Sequence, residues 1–510
     1  MSRQRQGHNR LDFKTRNAFG IGALSSGLAG HSITALALLF YNQVVGMPPA
    51  LVGLALMISL VADAFWDPAI GLWSDSTRSR LGRRHPFMYA SIVPASLAFW
   101  ALWNPPIGMS TPATFAYLLG SIMAMRFFVS LYEIASTALI PEIVPDYDAR
   151  TSLIAGRYFW GVIGAGLASV LAFQGFLSDR VGGITNVAGY ARYGVAGALI
   201  IAITVVLSTA GTHHQIPKLR QPINASLKMR DLVQQVLGAC SNRNFAAIMI
   251  AAMFSGINSG VSGGLGVYFN LYFWGLSTDQ MSILIGPGLL SAVVGVLLAP
   301  MISKRFGKRR VVLWTFALAM LTGTLPIGLR LLGLLPGNDW PWLMPFLVVE
   351  TFLAATLGLI GLVVVTSMLA DVVEDNAVRT AQRSEGLFFS AISVLGKCVT
   401  GVGTLISGLM LSWIHFPINA EPDHVDASLM HQLGLIYVPI GIVLSILSLF
   451  CLSFFRIDRA QHEANLSLLE SAAMAEAVSA ESGEQPQPLI PPLDGRPGLA
   501  VAPVAGAARE

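Results

Sequence analysis

Residues 51–73 read LVGLALMISLVADAFWDPAIGLW. A bilayer is crossed by about 20 predominantly apolar residues in a helix, and this stretch is long enough and apolar enough to do it. Its two charges are both aspartates, Asp63 and Asp67. Positions i and i+4 lie on one face of a helix, and Asp63 falls near the middle of the stretch. A carboxylate at the centre of the hydrocarbon costs at least about 2.5 kcal/mol, so two on one helix need a compensating purpose.

The rest of the chain points to the same solvent. Of 510 residues 54% are hydrophobic and only 12% are charged, against about 25% in soluble domains, and the mean hydropathy is +0.63. With short turns between spans, residues 18–455 have room for about twelve helices. The spans expected are 18–44, 51–75, 86–105, 113–145, 150–178, 189–210, 244–275, 278–303, 311–334, 341–370, 384–414 and 430–455.

Lys and Arg in short loops set the orientation. Arg78, Arg80, Arg83 and Arg84 lie between spans 2 and 3, and Lys304, Arg305, Lys308, Arg309 and Arg310 between spans 8 and 9. The loops NPPIGMSTP (104–112) and HFPINAEPDHVDAS (415–428) contain neither residue type. Both termini are therefore expected on the cytoplasmic face of the plasma (inner) membrane. The basic segment 1–17 is followed by no short apolar region with an A-x-A-like cleavage site, so it reads as a cytoplasmic tail. Residues 456–510, rich in Ala, Glu, Pro and Gly and containing QPQPLIPPLDGRPG, read as a second, mostly disordered tail.

An internal repeat divides the spans. Arg80-Leu81-Gly82-Arg83-Arg84 after span 2 is matched 225 residues later by Arg305-Phe306-Gly307-Lys308-Arg309 after span 8. Two six-span halves follow, 18–210 and 244–455, joined by a polar cytoplasmic segment 211–243. The expected fold is an all-α membrane protein of twelve transmembrane helices in two pseudo-symmetric six-helix bundles, the major facilitator architecture, which binds substrate near the midplane between the halves.

Polar groups at membrane depth are then the candidates for function. Two adjacent carboxylates in low dielectric either share a proton or hold a cation, and oxygen ligands suit Na⁺ or H⁺. A static ion network with basic side chains is the alternative. Lys397 lies about fourteen residues into span 11, in FFSAISVLGKCVTGVGTLISG, too deep to snorkel comfortably. A pair between Lys397 and an aspartate of span 2 would bridge the two halves. Glu133 in span 4 and Arg157 in span 5 form a second pair, with Arg126 two turns before Glu133. Their carboxylate and guanidinium suit a polar substrate group, or a structural salt bridge within one bundle.

His31 in span 1 reads first as a hydrogen-bonded core histidine and is carried as a further candidate for the substrate site. Glu350 and Arg330 read as boundary residues. The basic turns, through Arg78, Arg83 and Arg84, are expected either to gate the cytoplasmic side against Asp75, Asp371 and Glu374 or to contact lipid headgroups. Cys240, Cys398 and Cys451 have no metal-ligand spacing. The net charge of +4 reflects the positive-inside bias, and no nucleic-acid partner is expected. No Ser/His/Asp or metal constellation falls near the midplane, so an enzyme is not expected.

The run ADAFWDPAIGLWSDSTRSRLGRRHPF (62–87) closely resembles the span 2 and loop pattern of the glycoside, pentoside and hexuronide cation symporters, to which the melibiose carrier belongs. The likeness continues in FGIGALSSGL (19–28), ALIPEIVPDYDARTSLIAGRYF (138–159) and MLADVVEDNAVRTAQRSEGLFFSAISVLGKCVTG (368–401). The resemblance implies that Asp63 and Asp67 line a cation site, taking Na⁺ or H⁺, with Lys397 beside it and Ser393 near both cation and sugar. It implies that Glu133, where the family carries Asp, and Arg157 contact sugar. It also exposes departures: the melibiose carrier's span 1 carboxylate falls on Gly27, with Ser26 where that carrier has Lys, and an aromatic stacking position falls on Thr137.

The coupling residues are thus kept while the sugar residues are partly rewritten. The expected activity is cation-coupled symport of a glycoside or related small polar solute, melibiose itself excepted. The alternative is a lysolipid or other amphipathic solute, since the related sodium-coupled lysolipid carriers share the span 2 and span 11 motifs. Small residues Gly22, Ser25, Ser26, Gly27 and Gly30 in span 1 would make room for an acyl group or pack helices closely. Expected partners are the solute, the coupling cation and membrane lipid, with the chain a monomer and without a resident cofactor.

Overall fold

The computed structural model describes residues 12–106, 108–144, 147–218, 242–380, 385–420 and 425–457, with parts of 461–471. Expectations for residues 1–11, for 219–241 of the central segment including Cys240, and for most of the second tail fall outside these. Among the described residues the chain is helical, without a strand, and makes twelve passes.

Span 1 is built from Phe13–Ile21 and Ala23–Ser32, followed by π-helical turns at Ile33–Ala37 and Phe40–Val44. Spans 2 to 6 are Pro49–Ser76, His85–Leu102, Thr111–Ile143, Tyr147–Ser169 with a π-helical extension Val170–Phe176, and Val187–Thr212. The second half repeats the order. Span 7 is Arg243–Tyr268 with a π-helical end Phe269–Phe273, and span 8 is Thr278–Ile283 continuing into Ile285–Phe306. Spans 9 to 12 are Lys308–Leu331, Leu343–Thr380, Glu385–Trp413 and Ala427–Ser453. Ten of the twelve are single segments long and apolar enough to cross a membrane. The others are span 1, which is interrupted, and span 3, which has 18 residues and opens on His85 and Pro86.

The repeat has a local physical cause. Gly82 and Gly307 both adopt a positive φ, +73° and +83°, which residues with a Cβ rarely adopt, so each turn after spans 2 and 8 needs glycine at that point. Each turn is then pinned inside its own half. Arg84 pairs with Asp75 of span 2 and with Glu142 of span 4 at 3.1 Å, and Arg83 reaches Glu142 at 2.7 Å. In the second half Lys308 reaches Asp371 of span 10 at 2.7 Å.

The halves meet along spans 2 and 11, where small residues bring backbones together. A Cβ on Gly408 would lie 2.3 Å from the Pro49 carbonyl oxygen, and one on Gly53 would lie 3.0 Å from that of Thr404. Further bonds between the halves gather on the side away from the termini. The Ala420 backbone N–H donates to Gln43 at 2.8 Å, the Gln43 amide donates to the Pro417 carbonyl at 3.0 Å, and Tyr268 donates to Asn42 at 2.9 Å. Asp179 and Thr278 exchange two bonds at 2.8 and 3.1 Å.

Candidate cation and substrate site

Asp63 lies mid-way along span 2 and is only 5% exposed. A carboxylate placed there survives only if its oxygens are satisfied. Its Oδ1 accepts from the Trp66 indole N–H at 2.8 Å and from the Ser130 hydroxyl of span 4 at 2.9 Å. Its Oδ2 accepts from the Lys397 ammonium of span 11 at 2.8 Å and lies 3.8 Å from Nη1 of Arg126. Arg126 Nε in turn donates to the Ser59 hydroxyl at 3.1 Å, one turn before Asp63 on the same helix.

Asp67 shares the ammonium, accepting from Lys397 through Oδ2. Its Oδ1 is buried and, among the described residues, has no hydrogen-bond donor. One ammonium therefore stands between the two carboxylates, and the Asp67 Oδ1 beside it keeps its acceptor capacity. Ser393 is exposed one turn before Lys397, on the same face of span 11.

Span 4 carries a second cluster three residues past Ser130. Glu133 is at 2.6 Å from the Arg157 guanidinium of span 5 and accepts from the Ser26 hydroxyl of span 1 at 2.6 Å. Arg157 also donates to Ser136 at 2.9 Å, and its guanidinium lies 5.2 Å from the centre of the Phe19 ring. The Arg157 side chain is 7% exposed while that of Glu133 is 36% exposed, so the carboxylate is the accessible member. Thr137 is exposed one turn on from Glu133, on the same face.

Other candidates fall elsewhere. Gly27 faces span 5, where a Cβ would lie 2.0 Å from the Gly161 carbonyl oxygen, and Gly22 faces the Tyr132 hydroxyl. Both are close-packing positions. His31 and the Ser169 hydroxyl of span 5 are hydrogen-bonded at 2.7 Å. Arg78 is exposed in the turn, and Asp371 is held by Lys308 within the second half. Glu374 lies one turn from Asp371 in span 10.

Ser59, Ser130, Ser136 and the indole of Trp66 were not singled out from the sequence. The signal for span 4 was present: Arg126, Ser130, Glu133 and Thr137 recur at helical spacing on one face.

The MFS/sugar transport protein family matches residues 18–459, nearly the whole of the described chain. The chain belongs to that family. Its curated relatives include symporters of the glycoside-pentoside-hexuronide type, alongside a putative 2,3-dihydroxypropane-1-sulfonate exporter of Escherichia coli that is 26% identical over 87% of this chain and 92% of its own. An isoprimeverose transporter of Lactiplantibacillus pentosus is 23% identical, with 92% of this chain and 94% of the relative covered. An uncharacterized symporter of Synechocystis is 24% identical over 89% of this chain and 96% of its own. The solved nucleoside transporter NupG superposes with a TM-score of 0.59 at 16% identity, covering 88% of this chain and all of the other, which shows the major facilitator fold. The protein is an integral membrane transporter.

Proposed function

We propose that the chain is a secondary active transporter that couples entry of Na⁺ or H⁺ to symport of a glycoside or related small polar solute by alternating access. The observation that carries this reading is Lys397, a basic side chain of one half, holding Asp63 and Asp67 of the other. A contact that bridges two rigid bundles at mid-membrane breaks or forms when the bundles rock, so its strength depends on conformation. A cation that neutralises the aspartates competes with Lys397 for them and thereby biases the rocking.

Span 4 carries the link to the solute. Ser130 touches Asp63, and Glu133 on the next turn presents an accessible carboxylate backed by Arg157 and Ser26. Adjacent hydroxyls of a sugar suit that carboxylate as acceptor. Only the doubly loaded or the empty carrier reorients. About 2.3 kcal/mol per charge per 100 mV is then available to concentrate solute.

A lysolipid or other amphipathic solute is the second reading, and the packing of span 1 weighs against it. Gly22 and Gly27 are filled against spans 4 and 5 and open no cleft for an acyl chain, which leaves only Gly30, where an added Cβ would meet nothing within 4 Å, with open space. The test is uptake into proteoliposomes under an imposed Na⁺ or H⁺ gradient, with labelled glycosides in one arm and lysolipids in the other. Accumulation of a glycoside above its equilibrium distribution supports the reading; equilibration without accumulation contradicts it.

A further inference from the structure

The charges around the span 2 aspartates already balance. Asp63 and Asp67 carry two negative charges, and the Lys397 ammonium and Arg126 guanidinium carry two positive ones, within 4 Å of Asp63. These two cations are not equivalent. Lys397 belongs to span 11 of the second half, whereas Arg126 belongs to span 4, in the same bundle as span 2. In the rocking proposed above, Lys397 moves with the second half, whereas Arg126 stays in the bundle that carries Asp63.

Their chemistry separates them as well. A guanidinium keeps its charge in any protein environment and holds a planar set of donors in place, while an ammonium is a mobile point charge on a flexible stem. Arg126 is fixed by its bond to Ser59 and is 15% exposed, against 28% for Lys397.

We infer that Arg126 is a tethered counter-charge that cancels one of the two aspartates in every conformation, and so sets how strongly the pair takes a mobile cation. With Arg126 in place, one negative charge is left to match, and the Lys397 ammonium and one monovalent cation are alternatives for it. Seating the cation beside both basic groups would leave an uncompensated buried positive charge, which low dielectric disfavours. Without Arg126 the pair keeps one negative charge even while Lys397 is bound, and a cation and the ammonium can be held together. This inference rests on the cation-coupled reading above and names the residue that governs its ion.

The experiment titrates the purified, detergent-solubilised protein with NaCl against choline chloride at constant ionic strength, reading the shift in thermal unfolding. Arg126→Gln is expected to bind Na⁺ at least tenfold more tightly than wild type, and Arg126→Lys, which keeps the charge, to stay within about threefold of wild type. Asp63→Asn is expected to abolish any Na⁺ response. A wild-type response that Asp63→Asn removes and Arg126→Gln leaves unchanged overturns the role of Arg126 while the cation-coupled reading stands. No response in any variant, Arg126→Gln included, also overturns it, and gradient-driven uptake then decides the coupling separately. If Arg126→Gln fails to fold, the charge-preserving Arg126→Lys still carries the test: a change in Na⁺ affinity of tenfold or more in that variant overturns the inference.

Discussion

Lys397 and Asp63 are 334 residues apart in sequence and meet at 2.8 Å in the middle of the membrane. The contact joins span 11 to span 2, the two helices along which the halves of the transporter pack. Truncating the lysine leaves two adjacent carboxylates with Arg126, 3.8 Å from Asp63, as the one basic group beside them among the described residues. Breaking a buried pair by removing one partner costs about 3–5 kcal/mol, and the partly wet ammonium here reduces that to about 2 kcal/mol. Lys397→Met is therefore expected to lower the unfolding temperature in detergent, and adding Asp67→Asn to recover part of it. A double variant no more stable than Lys397→Met would contradict the pairing.

The close approach of spans 1 and 5 gives a stability prediction with its own control. Gly27→Ala places a methyl 2.0 Å from the Gly161 carbonyl oxygen, whereas Gly30→Ala meets nothing within 4 Å. Overpacking costs about 1–3 kcal/mol, so Gly27→Ala is expected to destabilise and Gly30→Ala to be close to neutral. Equal effects in thermal unfolding would show that the two glycines do not differ as the packing requires.

At the turn after span 2, Glu142→Gln removes the carboxylate that Arg83 and Arg84 share. The Arg84 and Glu142 side chains are each 6% exposed, so the loss should approach the about 3 kcal/mol of a broken buried pair. Asp371→Asn, at the equivalent place in the second half, is expected to cost less because Lys308 is 33% exposed and water takes over its charge. Chemical denaturation of both variants side by side tests the order.

In the solute cluster, Glu133→Gln removes the accessible carboxylate and leaves Arg157 without its charge partner. Uptake is expected to fall at least tenfold. Ser26→Ala deletes one neutral donor, worth about 1 kcal/mol or roughly a fivefold loss. Initial rates of glycoside uptake separate the two, and a Ser26→Ala defect larger than that of Glu133→Gln would displace the carboxylate from the site.

The twelve passes were legible because a bilayer demands long apolar helices, and the halves because Gly82 and Gly307 must take the same uncommon backbone conformation. Asp63, Asp67 and Lys397 were legible for the same reason in reverse: a charge stands out in an apolar run. Span 1 was less so, since Gly22 and Gly27 read equally as room for a ligand and as helix packing until their neighbours are known. Ser59, Ser130 and Ser136 were not legible as ligands. A serine bonds readily to its own helix backbone, and only the fold tells that Ser130 reaches a carboxylate while Ser59 and Ser136 accept from Arg126 and Arg157. Glu142 was hidden by its place at a span end, where a carboxylate needs no explanation.

The measurement closest to the central claim uses Asp63→Asn in proteoliposomes, with labelled glycoside and an imposed cation gradient. This variant is expected to lose gradient-driven accumulation while still exchanging preloaded glycoside, because the solute cluster on Glu133 and Arg157 is left in place. Full accumulation by Asp63→Asn would contradict it.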